Sequence, residues 1–196
     1  MSEGQIRRFE RWRKRLPENT AYLVSLVLEE VVPIFESNGL KRFPDYAGNS
    51  TYAVGPNCVP LQRRSGSEWP TVELLFHKRK CPSLGVYFSM LPQKCLRHGP
   101  MGPIDIPRIE ANLVEGPQFF YLCKGPDRGF YNSFGYRWFA LRPKKKLRNE
   151  IDELTSLLPH VFSVFDQGLP ESWLIKGAGF VDRHVFASRG AASLVK

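Results

Sequence analysis

A chain of 196 residues with 42% hydrophobic and 13% aromatic side chains is long and apolar enough to build the core of one domain, which excludes a disordered chain. The longest apolar run, residues 21–35, is too short for a membrane span and carries Glu29, Glu30 and Pro33. The formal net charge of +9 is concentrated in two places: residues 1–16 carry net +4 and residues 137–148 net +6, leaving the body near neutral.

From Ile6 to Leu16, Ile6, Phe9, Trp12 and Leu16 recur at helical spacing with arginines on the other faces. Pro17 ends that helix, and Asn19 or Thr20 is placed to cap the next. That second helix runs to about Asn38 on a stripe of Leu23, Leu26, Val27, Val31, Ile34 and Phe35. A kink is expected at Pro33 and a left-handed stop at Asn38-Gly39.

The period then changes. Thr51–Val54, Cys58–Arg63, Thr71–His77 and Leu84–Leu91 are short, β-branched and aromatic, and separated by turn residues, as in antiparallel strands. Four prolines and two glycines in residues 92–107 predict an irregular loop, either a binding element or mobile. Phe119–Cys123 reads either as a strand or as the end of a short helix. Tyr131–Leu141 predicts a strand. Lys144–Phe165 predicts a helix with Leu147, Ile151, Leu154, Leu157, Leu158, Val161, Phe162 and Phe165 on one face, and its last turns are separable at Pro159. A flexible tail is expected over 176–196, where Gly177, Gly179, Gly190, Ala191 and Ala192 fall.

Strands bracketed by helices, without strand–helix alternation, predict an α+β fold: an antiparallel sheet of about five to six strands with two main helices packed on one face. The expected divisions are a basic N-terminal helix over 1–17, the α+β domain over 18–175 and the tail. The basic N-terminus is not followed by an uninterrupted apolar segment and cleavage site, so a cytoplasmic location is expected.

Several local sequences then fall into a recognisable order: Val31-Val32-Pro33-Ile34-Phe35, Gly39-Leu40-Lys41-Arg42-Phe43, Leu61-Gln62-Arg63, Gly85-Val86-Tyr87-Phe88, Tyr136-Arg137-Trp138-Phe139, and Gly168-Leu169-Pro170 with Trp173. Over residues 20–175 this order resembles a bacterial family known as domain of unknown function 4304. The resemblance implies a fold and carries no reaction or catalytic residues. Some bacterial proteins of this size are immunity factors against secreted toxins, and by analogy that role is an expectation here.

Chemistry is sparse. His77-x3-Cys81 and Cys95-x2-His98 have spacings suited to tetrahedral zinc, so zinc is a candidate cofactor of a zinc-dependent enzyme or zinc-stabilised module. The competing reading is a solvated hairpin turn at Lys78, Arg79 and Lys80 beside the irregular loop. The four cysteines, Cys58, Cys81, Cys95 and Cys123, form no C-x-x-C pair and are expected as reduced thiols. Clustered carboxylates with a later strand lysine, a G-x-S-x-G elbow and a phosphate-cradling glycine loop do not occur. Arg128-Gly129-Phe130 opens like an RNA-binding strand, but Tyr131, Asn132, Ser133 and Gly135 break the pattern.

What remains is charge beside aromatics. Phe134, Tyr136 and Trp138 share one face of the expected strand, either exposed for stacking or, as favoured, buried as core. Lys144, Lys145 and Lys146 open a helix, where the dipole disfavours cations. The expected function is therefore non-catalytic binding of a macromolecule, an acidic protein partner or a nucleic acid. Arg137, Arg142, Lys144, Lys145 and Lys146 form one patch and Arg8, Arg11 and Arg15 another. Trp12 and the loop at His98 are secondary candidates, and the N-terminal helix is alternatively a membrane-surface or partner-docking element.

Overall fold

Alternation along two long strands sets the architecture of the protein, for which a computed structural model describes residues 3–43, 55–63, 68–77, 80–92, 95–99, 102–106, 120–123, 134–136, 140–167, 174–175 and 178–182. Strands β3 (Glu68–Phe76) and β4 (Ser83–Pro92) pair antiparallel from Glu68 opposite Pro92 to Phe76 opposite Leu84. Side chains alternate between the faces of a strand, so Val72, Leu74, Phe76, Leu84, Val86 and Phe88 form one apolar surface, and all six are buried. Thr71, Glu73, Leu75 and Tyr87, on the opposite face, are half-buried.

The remaining strands extend this pair in both directions. β1 (Lys41–Arg42) lies outside β2 (Cys58–Gln62), which pairs with β3. On the far side, β4 pairs with β7 (Phe120–Cys123), then β10 (Ala178–Asp182), then β9 (Leu174–Ile175). The two-residue β8 (Phe134–Gly135) joins the start of β4. Every pairing is antiparallel, so the α+β class and antiparallel sheet are as expected. Five of these eight strands have four or more residues, and three are two-residue additions.

Three expectations change and one open alternative is resolved. Residues 92–107 contain a separate hairpin, β5 (Cys95–Gly99) with β6 (Gly102–Ile106). Their glycines and prolines cluster around the turn, and a two-stranded ribbon tolerates proline because each strand keeps an unpaired edge. Phe120–Cys123 is the strand, resolving that ambiguity. Of the strand expected over 131–141, Phe134–Gly135 is strand and the exposed Leu141 is not, while residues 131–133 and 137–139 lie outside the described residues. Finally, β10 takes residues 178–182 of the expected tail into the sheet, where Phe180 and Val181 supply strand propensity. The expected strand at 51–54 lies outside the described residues.

The helices follow from what must cover the apolar face. Helix α2 (Glu18–Leu26) passes through a π-helical turn (Val27–Val31) into α3 (Val32–Ser37). Pro33 has no N–H to give the Glu29 carbonyl, and its ring crowds that oxygen. The irregularity therefore sits one turn before the proline: the Val32 N–H donates to the Val27 carbonyl, five residues back. The helix stops as expected at Gly39, whose φ of 82° lets the Leu40 N–H reach the Phe35 carbonyl at 3.1 Å.

Helix α4 (Pro143–Gln167) buries Leu147, Ile151, Leu154, Leu157, Leu158, Val161, Val164 and Phe165, and it continues unbroken past Pro159. Pro159 lies on the exposed face, where water can satisfy the carbonyl it leaves unpaired. The Phe165 ring meets Phe88 edge-on at 6.0 Å, and Phe162 meets Phe35 of α3 at 5.5 Å. Helix α1 (Glu3–Arg13) joins the same core: Phe9 is 2% exposed and lies 5.7 Å from Phe43 and 6.4 Å from Phe76. Phe88 and Phe76 share the apolar face, so α4 and α1 pack on the same side of the sheet. Because Phe9 ties α1 to that core, Phe9→Ala is expected to cost about 3–5 kcal/mol, read from the urea midpoint and slope.

Candidate functional site

The site begins where α1 ends. Gln5, Phe9 and Trp12 face inward at helical spacing, and the Trp12 ring lies 5.7 Å from both Phe9 and Phe76. That contact fixes the rotation of α1 and leaves Arg8, Arg11, Lys14 and Arg15 in solvent. Trp12, expected as a binding residue, is half-buried and packed against the core. Arg7 pairs with Glu3 at 3.0 Å and Arg13 with Glu10 at 3.6 Å, while Arg8 donates to the Gly4 carbonyl. Arg11, Lys14 and Arg15 have no ion-pair partner among the described residues.

Pro17 opens α2 without any side-chain cap. Asn19 and Thr20, expected as caps, are already inside the helix, and their side chains serve tertiary contacts instead. Thr20 is fully buried and its hydroxyl donates to the Lys80 carbonyl. Lys80, in a left-handed conformation (φ 59°), donates its ammonium to the Arg15 carbonyl at 3.2 Å. The turn after β3 is thus docked on the α1–α2 corner from both sides. Asn19 shares a side-chain hydrogen bond with Tyr136; burial pushes the Tyr136 phenol up, and the Asn19 contact partly offsets this. The Tyr136 N–H donates to the Pro82 carbonyl at 2.9 Å.

Beside it, Gly135 has a φ of 114°, and a Cβ there would lie 2.1 Å from the Pro82 oxygen, so the position requires glycine. Its N–H donates to Glu150 of α4 at 2.9 Å. Phe134 is fully buried, which decides between the two readings of that strand: this residue is core. Arg137 and Trp138 lie outside the described residues.

The second basic segment arrives at the same corner. Lys144 pairs with Glu18 at 2.7 Å, its ammonium 5.9 Å from the Tyr22 ring centre. The hydrogen bond and charge of Lys144 hold the Glu18 carboxyl below its usual range, and Glu18 raises Lys144 in return. One turn on, Arg148 bonds Glu30 of the π-turn and approaches Asp152 at 3.6 Å; Glu30 raises Arg148. Arg142, Lys145 and Lys146 are exposed and have no ion-pair partner among the described residues. The Lys144–Glu18 pair thus brings the start of α4 to the first turn of α2, and the Lys80–Arg15 bond brings the turn after β3 to the end of α1. Lys14, Lys80 and Leu141 belong to this corner and were missed. The only signal for Leu141 was Pro143, which favours the first helical position and so ends any preceding strand early.

The zinc candidates are distributed differently. His77 and Cys81 flank the docked turn and are half-buried, with the His77 N–H donating to the Ser83 carbonyl at 2.9 Å. Cys95 and His98 lie three residues apart on β5, positions of opposite parity in an extended strand. Among the described residues no group of three His, Cys, Asp or Glu side chains is placed to hold a metal ion. Cys58 is buried on the other face of the sheet, where desolvation, reinforced by the Glu73 charge, pushes its thiol well up. No described helix is long and apolar enough to cross a membrane.

Comparison with family models, with curated proteins and with solved structures gives no match.

Two outcomes check this geometry. Thr20→Val leaves the Lys80 carbonyl without its donor and is expected to cost about 1–3 kcal/mol in denaturant unfolding. Cys58 is expected to resist alkylation in the folded protein at neutral pH and to react on unfolding, as mapped by residue-level mass spectrometry.

Proposed function

We propose that the protein is a non-catalytic binding module that docks an acidic partner protein on its basic corner. An immunity or defence-accessory role is the concrete form of this proposal, and the likeness to domain of unknown function 4304 belongs to it. The observation that carries it is the Lys144–Glu18 contact, which brings the helix start bearing Arg142, Lys145 and Lys146 to the first turn of α2, just after Arg11, Lys14 and Arg15; all six are exposed and without acidic partners among the described residues. Like charges gathered this way repel one another across a Debye length of about 8 Å in physiological salt. An acidic partner removes that cost and is drawn in by the same field, which speeds association more than it adds affinity.

Two features favour a protein over a nucleic acid. Phe134 is core and Tyr136 is half-buried against Asn19, so these two aromatics offer no platform for stacked bases. Glu18, Glu30 and Asp152 are interleaved with the cations, and a continuous phosphate backbone would meet them as well. A protein surface can place its own bases opposite these acids.

The test is charge reversal. Arg11, Arg15, Lys145 and Lys146 changed together to Glu should leave the fold intact, since none is ion-paired, and this is checked by circular dichroism. Cross-linking in extracts of the native cell should join Lys14, Lys145 or Lys146 of the wild type to one acidic protein, and the sign-reversed protein should lose that adduct. Binding to an oligonucleotide with a salt slope near −0.7 per phosphate contact, and no protein adduct, would move the conclusion to nucleic acid, as about 0.7 is the value for single strands.

A further inference from the structure

The start of α4 breaks several rules of helix initiation at one exposed place. Pro143 occupies the first helical position, as proline prefers, but Arg142 before it offers no capping acceptor. No acid stands in the first turn; Lys144, Lys145 and Lys146 stand there instead, against the helix dipole. Leu141 sits two residues before the helix, where an apolar side chain ordinarily packs onto the fourth helical residue. That residue is Lys146, which is exposed, so the staple cannot form. Leu141 is 89% exposed, the one exposed large hydrophobic side chain among the described residues. Sequences that violate local preference in several ways at one spot do so where function demands it.

We propose, resting on the reading of this corner as a docking surface, that Leu141 is its anchor. Arg142, Lys145 and Lys146 flank it, and the partner is an acidic protein segment with leucine-type side chains along one helical face. The apolar face of such a segment covers Leu141 while its carboxylates meet the three cations. An aliphatic anchor ringed by cations is matched by a surface that joins both chemistries. Phosphodiester backbones supply charge but nothing apolar for a leucine. An anionic lipid plane supplies both, yet it would press equally on Glu18, Glu30 and Asp152, which lie beside the cations.

The experiment uses the full chain and two labelled helical peptides of equal charge. One carries glutamate with leucine at every third or fourth position, and the other has serine in place of leucine. By fluorescence anisotropy the wild type should prefer the leucine peptide by about tenfold. Leu141→Ser should bring the two affinities together without weakening the serine peptide, and Leu141→Met should keep the preference. Arg142→Glu, Lys145→Glu and Lys146→Glu combined should abolish binding of both peptides. If Leu141→Ser keeps the full preference, the anchor is wrong while the basic docking corner stands. If the triple reversal binds both peptides like the wild type, the docking corner itself is wrong. Tighter, Leu141-dependent binding to phosphatidylserine vesicles, or tighter binding to single-stranded DNA, would overturn the assignment to a protein segment.

Discussion

The structure depends on covering one apolar surface: the face of the β3–β4 ladder made by Val72, Leu74, Phe76, Leu84, Val86 and Phe88. A sheet face of that composition is stable only when another layer excludes water from it. Helix α4 does so at Phe88 through Phe165, and α1 does so at Phe76 through Phe9 and Trp12. The α2–α3 segment closes against α4 at Phe35 and Phe162. Once the aromatic contacts fix how each helix is rotated, its polar face is fixed as well. The outward set of arginines on α1 is thus a consequence of where Phe9 must go.

The basic corner is a by-product of the same packing, held by polar contacts of a different kind. Thr20 and Lys80 tie the turn after β3 to the α1–α2 junction, and Lys144 ties α4 to Glu18. The first, the Thr20 bond to the Lys80 carbonyl, is part-buried, with the hydroxyl itself fully buried, and losing it leaves that acceptor without its donor. The second is an exposed ion pair, weak in itself and screened by salt, so it marks proximity more than it supplies stability. Geometry therefore comes from the buried contacts and charge from the exposed ones. Such a division allows the surface to change sign without loss of fold.

Much of the fold was legible because its periodicities are strong. The inward stripes of α1 and α4 and the alternation in β3 and β4 report burial directly, since each follows from side-chain direction along a regular backbone, whereas β2 is buried on both faces. The β5–β6 hairpin was not legible, because Gly99, Gly102 and Pro103 at the end of its ladder also mark irregular loops. Nor were the roles of Asn19 and Thr20: both are good caps by residue type, yet the helix begins at Glu18 and their side chains turn to Tyr136 and Lys80. The π-turn before Pro33 was foreseen only as a kink, since the proline removes a donor but does not say how the chain compensates.

By itself, the sequence determined the types of the strongly periodic elements, the core residues of their inward faces, and the existence of two cationic segments in a near-neutral chain. Those are local properties, written in spacing and composition. Only the tertiary structure decided that the start of α4 meets the first turn of α2, that Phe134 is core, and that Leu141 stands in water beside a cationic helix start. The reason is that the contacts of residue 80 with residue 15 and of residue 144 with residue 18 are set by helix-on-sheet packing, which no window of the sequence contains.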